Sequence, residues 1–259
     1  MRVLYTDLDA TMLGRRGSFF ADATGAPTLA PAQALLRLRA AGVALVLVSG
    51  RTRAQLLEAG ALLGADGYIA ELGALVGWDH GLQQAALPSA APTGTLGAPD
   101  ELVAELFAAF ELDHHRPWHL GHEVDALLEG HVDVAAVDAW LAARGFGWLR
   151  LRDNGRIRRA GRDSPLHVYH LLPDGISKGA AVAFDLARRG FAPQDAVAIG
   201  DSASDLEMAG AVGRMYLVAN GVSVPAVAAR LPQLPNVQVT DAPMSVGWAE
   251  AVTDALGEH

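Results

Sequence analysis

Val3-Leu4-Tyr5-Thr6-Asp7-Leu8-Asp9-Ala10-Thr11 sets the fold class of this chain. Residues 2–6 hold the apolar run Val3-Leu4-Tyr5 and read as a buried strand. Asp7 and Asp9 then follow, two residues apart, at the C-terminal end of that strand. Two carboxylates there suit a core badly and suit chemistry well, because open α/β sheets bind ligands along that edge. One carboxylate can attack a phosphorus while the other handles a proton, with a divalent cation balancing the charge. A solvated turn after a strand fits the same five residues, so the rest of the chain decides.

Outward from this stretch, strands and helices alternate. Residues 31–41 read as a helix with Pro31 in its first turn and Gly42 as its stop. Val43–Val48 is an uninterrupted apolar run, the pattern of a parallel strand covered on both faces. Arg53–Leu63 is the next helix, and Tyr68–Ala70 and Ala74–Val76 are short strands. Residues 85–99 have a linker-like Ala, Pro, Gly and Thr composition. Helices are expected over Pro99–Phe110 and Val132–Arg144, and a hairpin around Asp153-Asn154-Gly155. Alternation resumes with a strand at Leu166–Leu172, a helix at Ser177–Arg189 and a strand at Ala196–Ile199, and continues to a C-terminal helix from Val246. These units predict a doubly wound, mainly parallel α/β sheet formed by 1–79 and 166–259, with an α+β segment, 80–165, inserted into it.

Three further motifs fall at the same kind of place. Ser49 follows the Val43–Val48 strand, where a hydroxyl and the next backbone N–H can bind a phosphate oxygen. Lys178 lies in the first turn of a helix, electrostatically unfavourable unless it pairs with an anion. In Gly200-Asp201-Ser202-Ala203-Ser204-Asp205 a strand again ends in a carboxylate, with another four residues on. Asp201 can complete an oxygen-ligand site with Asp7, as magnesium prefers, and Asp205 can orient Lys178 or the metal shell. Each motif alone has an ordinary reading as a turn, a surface lysine or a helix cap. Together, in this order, they converge on one predicted sheet edge.

Composition removes several classes of function. The 259 residues are 51% hydrophobic, enough for a sizeable core. The absence of cysteine excludes disulfides, thiolate metal sites and a cysteine nucleophile. A net charge of −9 with no long basic run argues against a nucleic-acid partner. No stretch approaches the roughly 18 apolar residues of a membrane span, and the N-terminus does not read as a signal peptide. The expected setting is the cytoplasm, as a monomer or homodimer.

The four motifs, Asp7-Leu8-Asp9-Ala10-Thr11, Ser49-Gly50-Arg51, Lys178 and Gly200–Asp205, resemble those of the haloacid dehalogenase-like phosphatases. An insertion between the second and third motifs resembles the subgroup with a large α+β cap, which includes Cof-like sugar phosphatases, sucrose-phosphate phosphatases and mannosyl-3-phosphoglycerate phosphatase. The resemblance implies a small phosphorylated metabolite as substrate and Mg2+ as cofactor. It implies Asp7 as nucleophile and Asp9 as acid/base, with Asp7, the Asp9 backbone carbonyl and Asp201 as metal ligands. Thr11 and Asp205 would support them. Ser49, Gly50, Arg51, Lys178 and Asn220 would surround the phosphate. A phosphomutase or a catalytically silent binding protein would share the fold. The chain departs from the family pattern at Ala10, where glycine is usual, at Ser204, where asparagine is frequent, and at His170, where an acidic residue is frequent. A methyl group at Ala10 restricts the backbone if that position takes a positive φ.

Inside the insertion, His114, His119, His115 and His122 surround Pro117-Trp118 without a familiar zinc spacing and read as a polar loop. Arg150, Arg152, Arg156, Arg158, Arg159 and Arg162 gather around the expected hairpin, with Arg150 and Arg152 on one strand face. These are candidates for an anionic substrate or for a solvated edge. Trp118 and Trp148 are candidates for stacking on sugar, whereas Trp140 reads as core.

Overall fold

The computed structural model describes residues 1–157 and 164–257. Residues 158–163, and with them Arg158, Arg159 and Arg162, lie outside the described residues. The chain divides into two compact units, one from Met1–Ala85 and Ser177–His259, the other from Ala86–Ile176.

In the first unit, β1 (Val3–Thr6), β2 (Ala44–Val48) and β3 (Gly67–Ala70) are almost wholly buried, as their apolar runs predict. Helices α1 (Ala30–Ala40) and α2 (Arg53–Leu63) connect them. The start of α2 is set by a capping box in which Thr52 accepts from the Gln55 N–H and Gln55 reaches back to Thr52. β4 (Leu75–Trp78) turns back antiparallel on β3, and β5 (Gln83–Ala86) completes that edge of the sheet.

The second unit begins with α3 (Asp100–Ala109), β6 (Leu112–His114), β7 (Ala126–Gly130) and α4 (Val134–Ala143). It ends with β8 (Leu149–Ile157) and β9 (Leu166–Pro173), giving a four-stranded sheet ordered β6-β7-β9-β8 with antiparallel pairs. Leu128, Leu149, Leu151, Tyr169 and Leu171 share a core with Leu102 and Leu106 of α3 and Val137 and Leu141 of α4. Trp140 and Trp148 pack against that core, so Trp148 is a packing residue here, while Trp118 is exposed.

The first unit resumes with α5 (Lys178–Arg189), β10 (Ala196–Gly200), β11 (Arg214–Leu217), α6 (Pro225–Arg230), β12 (Val237–Val239) and α7 (Met244–Leu256). The sheet runs β12-β11-β10-β1-β2-β3-β4-β5 and is parallel from β12 to β3. Strand order departs in opposite directions from β1: β2 lies on one side and β10 on the other. That is the switch point at which a doubly wound sheet opens a crevice. Thr6 is in register with Leu47 and with Ile199, so Asp7, Ser49 and Asp201 leave the sheet at nearly one level.

Two expectations are corrected. Leu166–Leu172 does not resume the main sheet. As part of β9 it pairs with β7 and β8, and the inserted unit therefore spans 86–176 rather than 80–165. A strand-forming run marks an extended segment without naming the sheet it joins. Asp153-Asn154-Gly155 is not a hairpin turn. β8 continues through it and stays paired with β9, with a register shift between Asp153 and Arg156. Gly155 takes φ +103° and its N–H donates to Asp153 Oδ1 at 2.8 Å. The turn-forming residues make a bulge because the strand's partner lies beyond Arg156.

Candidate active site

Asp7 continues directly from β1, and its N–H donates to Ile199 O at 2.9 Å, which extends the parallel ladder by one residue. The side chain is buried at the sheet edge. Lys178, also buried, donates from Nζ to Asp7 Oδ1 at 2.8 Å and to Asp205 Oδ1 at 2.6 Å. The third and fourth motifs thus meet the first through one ammonium group, which explains a lysine at the start of α5. Burial alone lowers the Lys178 pKa, but Asp205 and Asp7 outweigh it and hold the pKa above the ordinary lysine value.

Asp205 is fully buried and fully bonded. Its Oδ2 accepts from the N–H groups of Asp201 and Ser202, at 3.1 and 2.9 Å, and from Ser202 Oγ at 2.6 Å. Its side chain lies against Gly200, where an added Cβ would sit 2.3 Å from Asp205 Cβ. Glycine before Asp201 is therefore a packing requirement. Asp201 accepts from Thr11 Oγ1 at 3.2 Å and from Asn220 Nδ2 at 3.0 Å. Burial first, then the Asp205 charge, pushes the Asp201 pKa up to about 7.

The Asp7 pKa is also well above the ordinary aspartate value. Burial is the largest cause, Lys178 opposes it, and Asp205, Asp201 and Asp9 add to it. Asp7, Asp201 and Asp205 each offer a carboxylate oxygen, with these atoms within 4.8 Å of one another. When all three carboxylates are ionised, the one ammonium of Lys178 leaves two negative charges for a cation to balance. An all-oxygen donor set with that charge fits a hard divalent cation such as magnesium. The sequence-based ligands are Asp7, the Asp9 backbone carbonyl and Asp201; Asp205, the third carboxylate of the cluster, is bonded to Lys178, Ser202 and the Asp201 N–H.

The Asp9 carboxylate has another partner. Arg51 donates from Nε to Asp9 Oδ2 at 2.8 Å and from Nη2 to Asp9 Oδ1 at 2.6 Å, a two-pronged ion pair. Ser49 is buried at the turn between β2 and α2; its N–H donates to Ile69 O at 2.9 Å and its Oγ accepts from the Arg51 N–H at 3.3 Å. Gly50 lies between them in the chain. Asn220, expected beside the phosphate, directs its side-chain amide into the protein. Nδ2 donates to Ala10 O and to Asp201 Oδ2, both at 3.0 Å, and Oδ1 accepts from the Met244 N–H at 2.8 Å. It ties the first motif to the fourth. Ala10 itself takes φ +58° in the tight loop Leu8–Met12.

Arg150 and the histidines of the inserted unit form local pairs. Arg150 meets Asp174 at 3.2 Å and donates to the carbonyls of Gly147 and Leu149. The His114 and His119 rings stack with centroids 4.5 Å apart, and His115 meets Glu129 at 2.7 Å. His122 and His170 both face buried Asp125. Sequence reasoning did not foresee this cluster, because His122, Asp125 and His170 signal nothing until β7 and β9 pair. Among the described residues, no helix is long and apolar enough to cross a membrane.

With this geometry, comparisons with known proteins are informative. Residues 152–230 match the family model of haloacid dehalogenase-like hydrolases. A phosphoglycolate phosphatase of Halobacterium salinarum is 45% identical over 64 residues, 22% of this chain and 28% of that protein. An HMP-PP phosphatase of Klebsiella pneumoniae is 39% identical over 71 residues, 27% of this chain and 25% of that protein. The chain thus matches only about a quarter of the length of these curated relatives. The sucrose-phosphatase of Synechocystis, solved with sucrose and phosphate, superimposes with a TM-score of 0.68 at 17% identity, covering 98% of each chain. Residues 152–230 are thus haloacid dehalogenase-like in sequence, and the chain shares the fold of that sucrose-phosphatase over nearly its full length.

Proposed function

We propose that this chain is a magnesium-dependent phosphatase that hydrolyses a small phosphorylated metabolite, foremost a sugar phosphate, through an aspartyl-phosphate on Asp7. The observation that carries this reading is the Lys178 ammonium held between Asp7 and Asp205 beside Asp201 at the β1 switch point. Phosphoryl transfer requires an in-line nucleophile amid positive charge. A nucleophilic carboxylate fixed by a lysine, next to the Asp201 carboxylate able to help hold a cation, supplies those parts.

Asp7 attacks phosphorus as the bond to the leaving oxygen breaks, and Asp9 gives that oxygen a proton. Water then attacks the phosphorus of the aspartyl-phosphate, its proton passes to the Asp9 carboxylate, and the bond to the Asp7 oxygen breaks to release inorganic phosphate. Lys178 holds Asp7 and neutralises phosphoryl charge. Ser49 Oγ and the Gly50 N–H hold phosphoryl oxygens. Asp7, Asp201 and the Asp9 backbone carbonyl would hold Mg2+, with Asp205 fixing Lys178 and the Asp201 loop. Bound Mg2+ would supply charge stabilisation at the phosphoryl oxygens. Thr11 and Asn220 position Asp201. The inserted unit is proposed as the specificity-bearing cap.

The sugar-phosphate assignment is supported by likeness in fold to the sucrose-phosphatase and by the α+β insertion. The test is a panel of sugar phosphates, phosphoglycolate, glycosyl-phosphoglycerates and p-nitrophenyl phosphate, assayed with and without Mg2+. Turnover should require Mg2+, and Asp7→Asn should lower it by at least a thousandfold, since no other carboxylate takes the nucleophile's place. Inactivity of the pure, metal-loaded wild type on the whole panel would overturn the reading in favour of a silent binding protein.

A further inference from the structure

Asp185, a fully buried carboxylate with no part in the proposed chemistry, carries an inference that rests on the phosphatase reading and extends it. It lies seven residues after Lys178 in α5. Two helical turns separate them, so both side chains share one face of the helix, about 10 Å apart along its axis. Tyr5 and Asp7, two residues apart at the end of β1, share one face of the sheet. The two pairs match. Lys178 Nζ donates to Asp7 Oδ1 at 2.8 Å, and Tyr5 Oη donates to Asp185 Oδ2 at 2.6 Å. Two polar rungs thus join α5 to β1, one inside the site and one below it. We propose that Asp185 is a positioning residue: through Tyr5 it sets the height of α5 along β1, and with it the contact between Lys178 and Asp7.

The lower rung is built for direction. Asp185 Oδ2 also accepts from Arg189 Nε at 2.6 Å, and Oδ1 accepts from Trp78 Nε1 on β4. A buried ionic group of this kind is weak evidence for stability, because well-packed apolar residues of similar volume often serve as well. Hydrogen bonds, however, fix distance and angle, whereas apolar contact is non-directional. The strand end is already held from its other face: Thr6 Oγ1 accepts from Trp248 Nε1 at 2.9 Å and donates to Asp7 O at 2.8 Å. β1 is therefore the fixed reference, and the height of α5 is what remains to be set. Lys178 also bonds Asp205, so its ammonium is not free to follow Asp7 if the helix moves. A displacement of about 1 Å in a reacting arrangement can cost about a hundredfold in rate.

The test uses the full chain and two variants that each remove one donor from Asp185. Tyr5→Phe deletes the rung to β1; Trp78→Phe deletes the bond to β4 and leaves that rung in place. Both are expected to lower Tm. Rates are measured on p-nitrophenyl phosphate with Mg2+ and expressed per folded molecule, from circular dichroism. In Tyr5→Phe, kcat is expected to fall about tenfold with KM changed by less than about twofold. In Trp78→Phe, kcat should stay within about twofold of wild type. A merely structural bond would lower Tm in both variants and kcat in neither. Unchanged kcat in Tyr5→Phe, or an equal fall in both variants, overturns the positioning role. Should Tyr5→Phe not fold, Asp185→Asn weakens the same rung, and an unchanged kcat there overturns it. In a nitrogen-15 spectrum of lysine-labelled protein, the Lys178 Nζ resonance is identified by its loss in Lys178→Arg. It should shift in Tyr5→Phe and hold in Trp78→Phe; a resonance unmoved by Tyr5→Phe also overturns the role. Absence of turnover in the wild type would sink the phosphatase reading alone, because the resonance test requires no chemistry.

Discussion

Ala10 is where sequence and backbone pull against each other. At φ +58° it occupies the left-handed region, which costs a residue with a Cβ about 1–2 kcal/mol. The position is over-determined by its surroundings, since Leu13 N–H closes the loop onto Leu8 O at 2.9 Å and Asn220 grips the Ala10 carbonyl. Ala10→Gly relieves that strain but adds about 0.5–1 kcal/mol of unfolded-chain freedom. The expected net change is a gain of up to about 1 kcal/mol, a rise in Tm of about 2–4 °C for a chain of this size. An unchanged or lower Tm in calorimetry would show that the loop gains nothing from glycine. Sequence alone raised the question at Ala10, because an alanine between Asp9 and Thr11 departs from the family pattern. It did not reveal that Asn220 answers it from 210 residues away.

Helix α5 and the turn Asp205–Gly210 behave as one element. An added Cβ at Gly179 would lie 2.2 Å from Glu207 O, which is backbone and cannot rotate aside. The closeness is what lets Lys178, one residue earlier, reach Asp205 Oδ1. Gly179→Ala should push the helix from the turn, at a cost of about 1–3 kcal/mol for overpacking. It should also lower kcat/KM at least tenfold, since the Lys178–Asp205 contact is displaced. Urea melts and kinetics on one preparation check both effects. The helix was legible: Ser177 caps it by accepting from the Ala180 N–H at 3.0 Å, and Gly190 ends it in the left-handed region. The bulge at Asp153-Asn154-Gly155 was not, because a turn-forming tripeptide does not say whether its flanking strands pair with each other or with a third.

Across the whole molecule, each unit buries its own polar network. In the first, Asp185 accepts from Tyr5 Oη and from Arg189 Nε, both at 2.6 Å, and from Trp78 Nε1. This joins the strand that carries Asp7 to the helix that carries Lys178. In the second, Asp125 is buried against His170 and His122. Burial raises the Asp125 pKa, but the two imidazoles outweigh it and hold it below 3.8. A folded pKa below the unfolded value means this contribution to stability is complete above about pH 4 and is lost as pH falls through the lower folded value. Asp125→Asn should therefore flatten the acid limb of the stability curve and lower stability at neutral pH by about 1–3 kcal/mol. Thermal melts between pH 2.5 and 7 follow both, and an acid limb as steep in the variant as in the wild type would reject the role. The sequence by itself determined the doubly wound sheet and the convergence of its four motifs, because apolar runs and strand-end carboxylates are local patterns. Only the tertiary structure decided which sheet β9 joins, that Asp205 bonds Lys178 at its carboxylate, and that Arg51 holds Asp9. Each of those is a pairing between residues distant in the chain, and spacing along the chain does not encode distance in space.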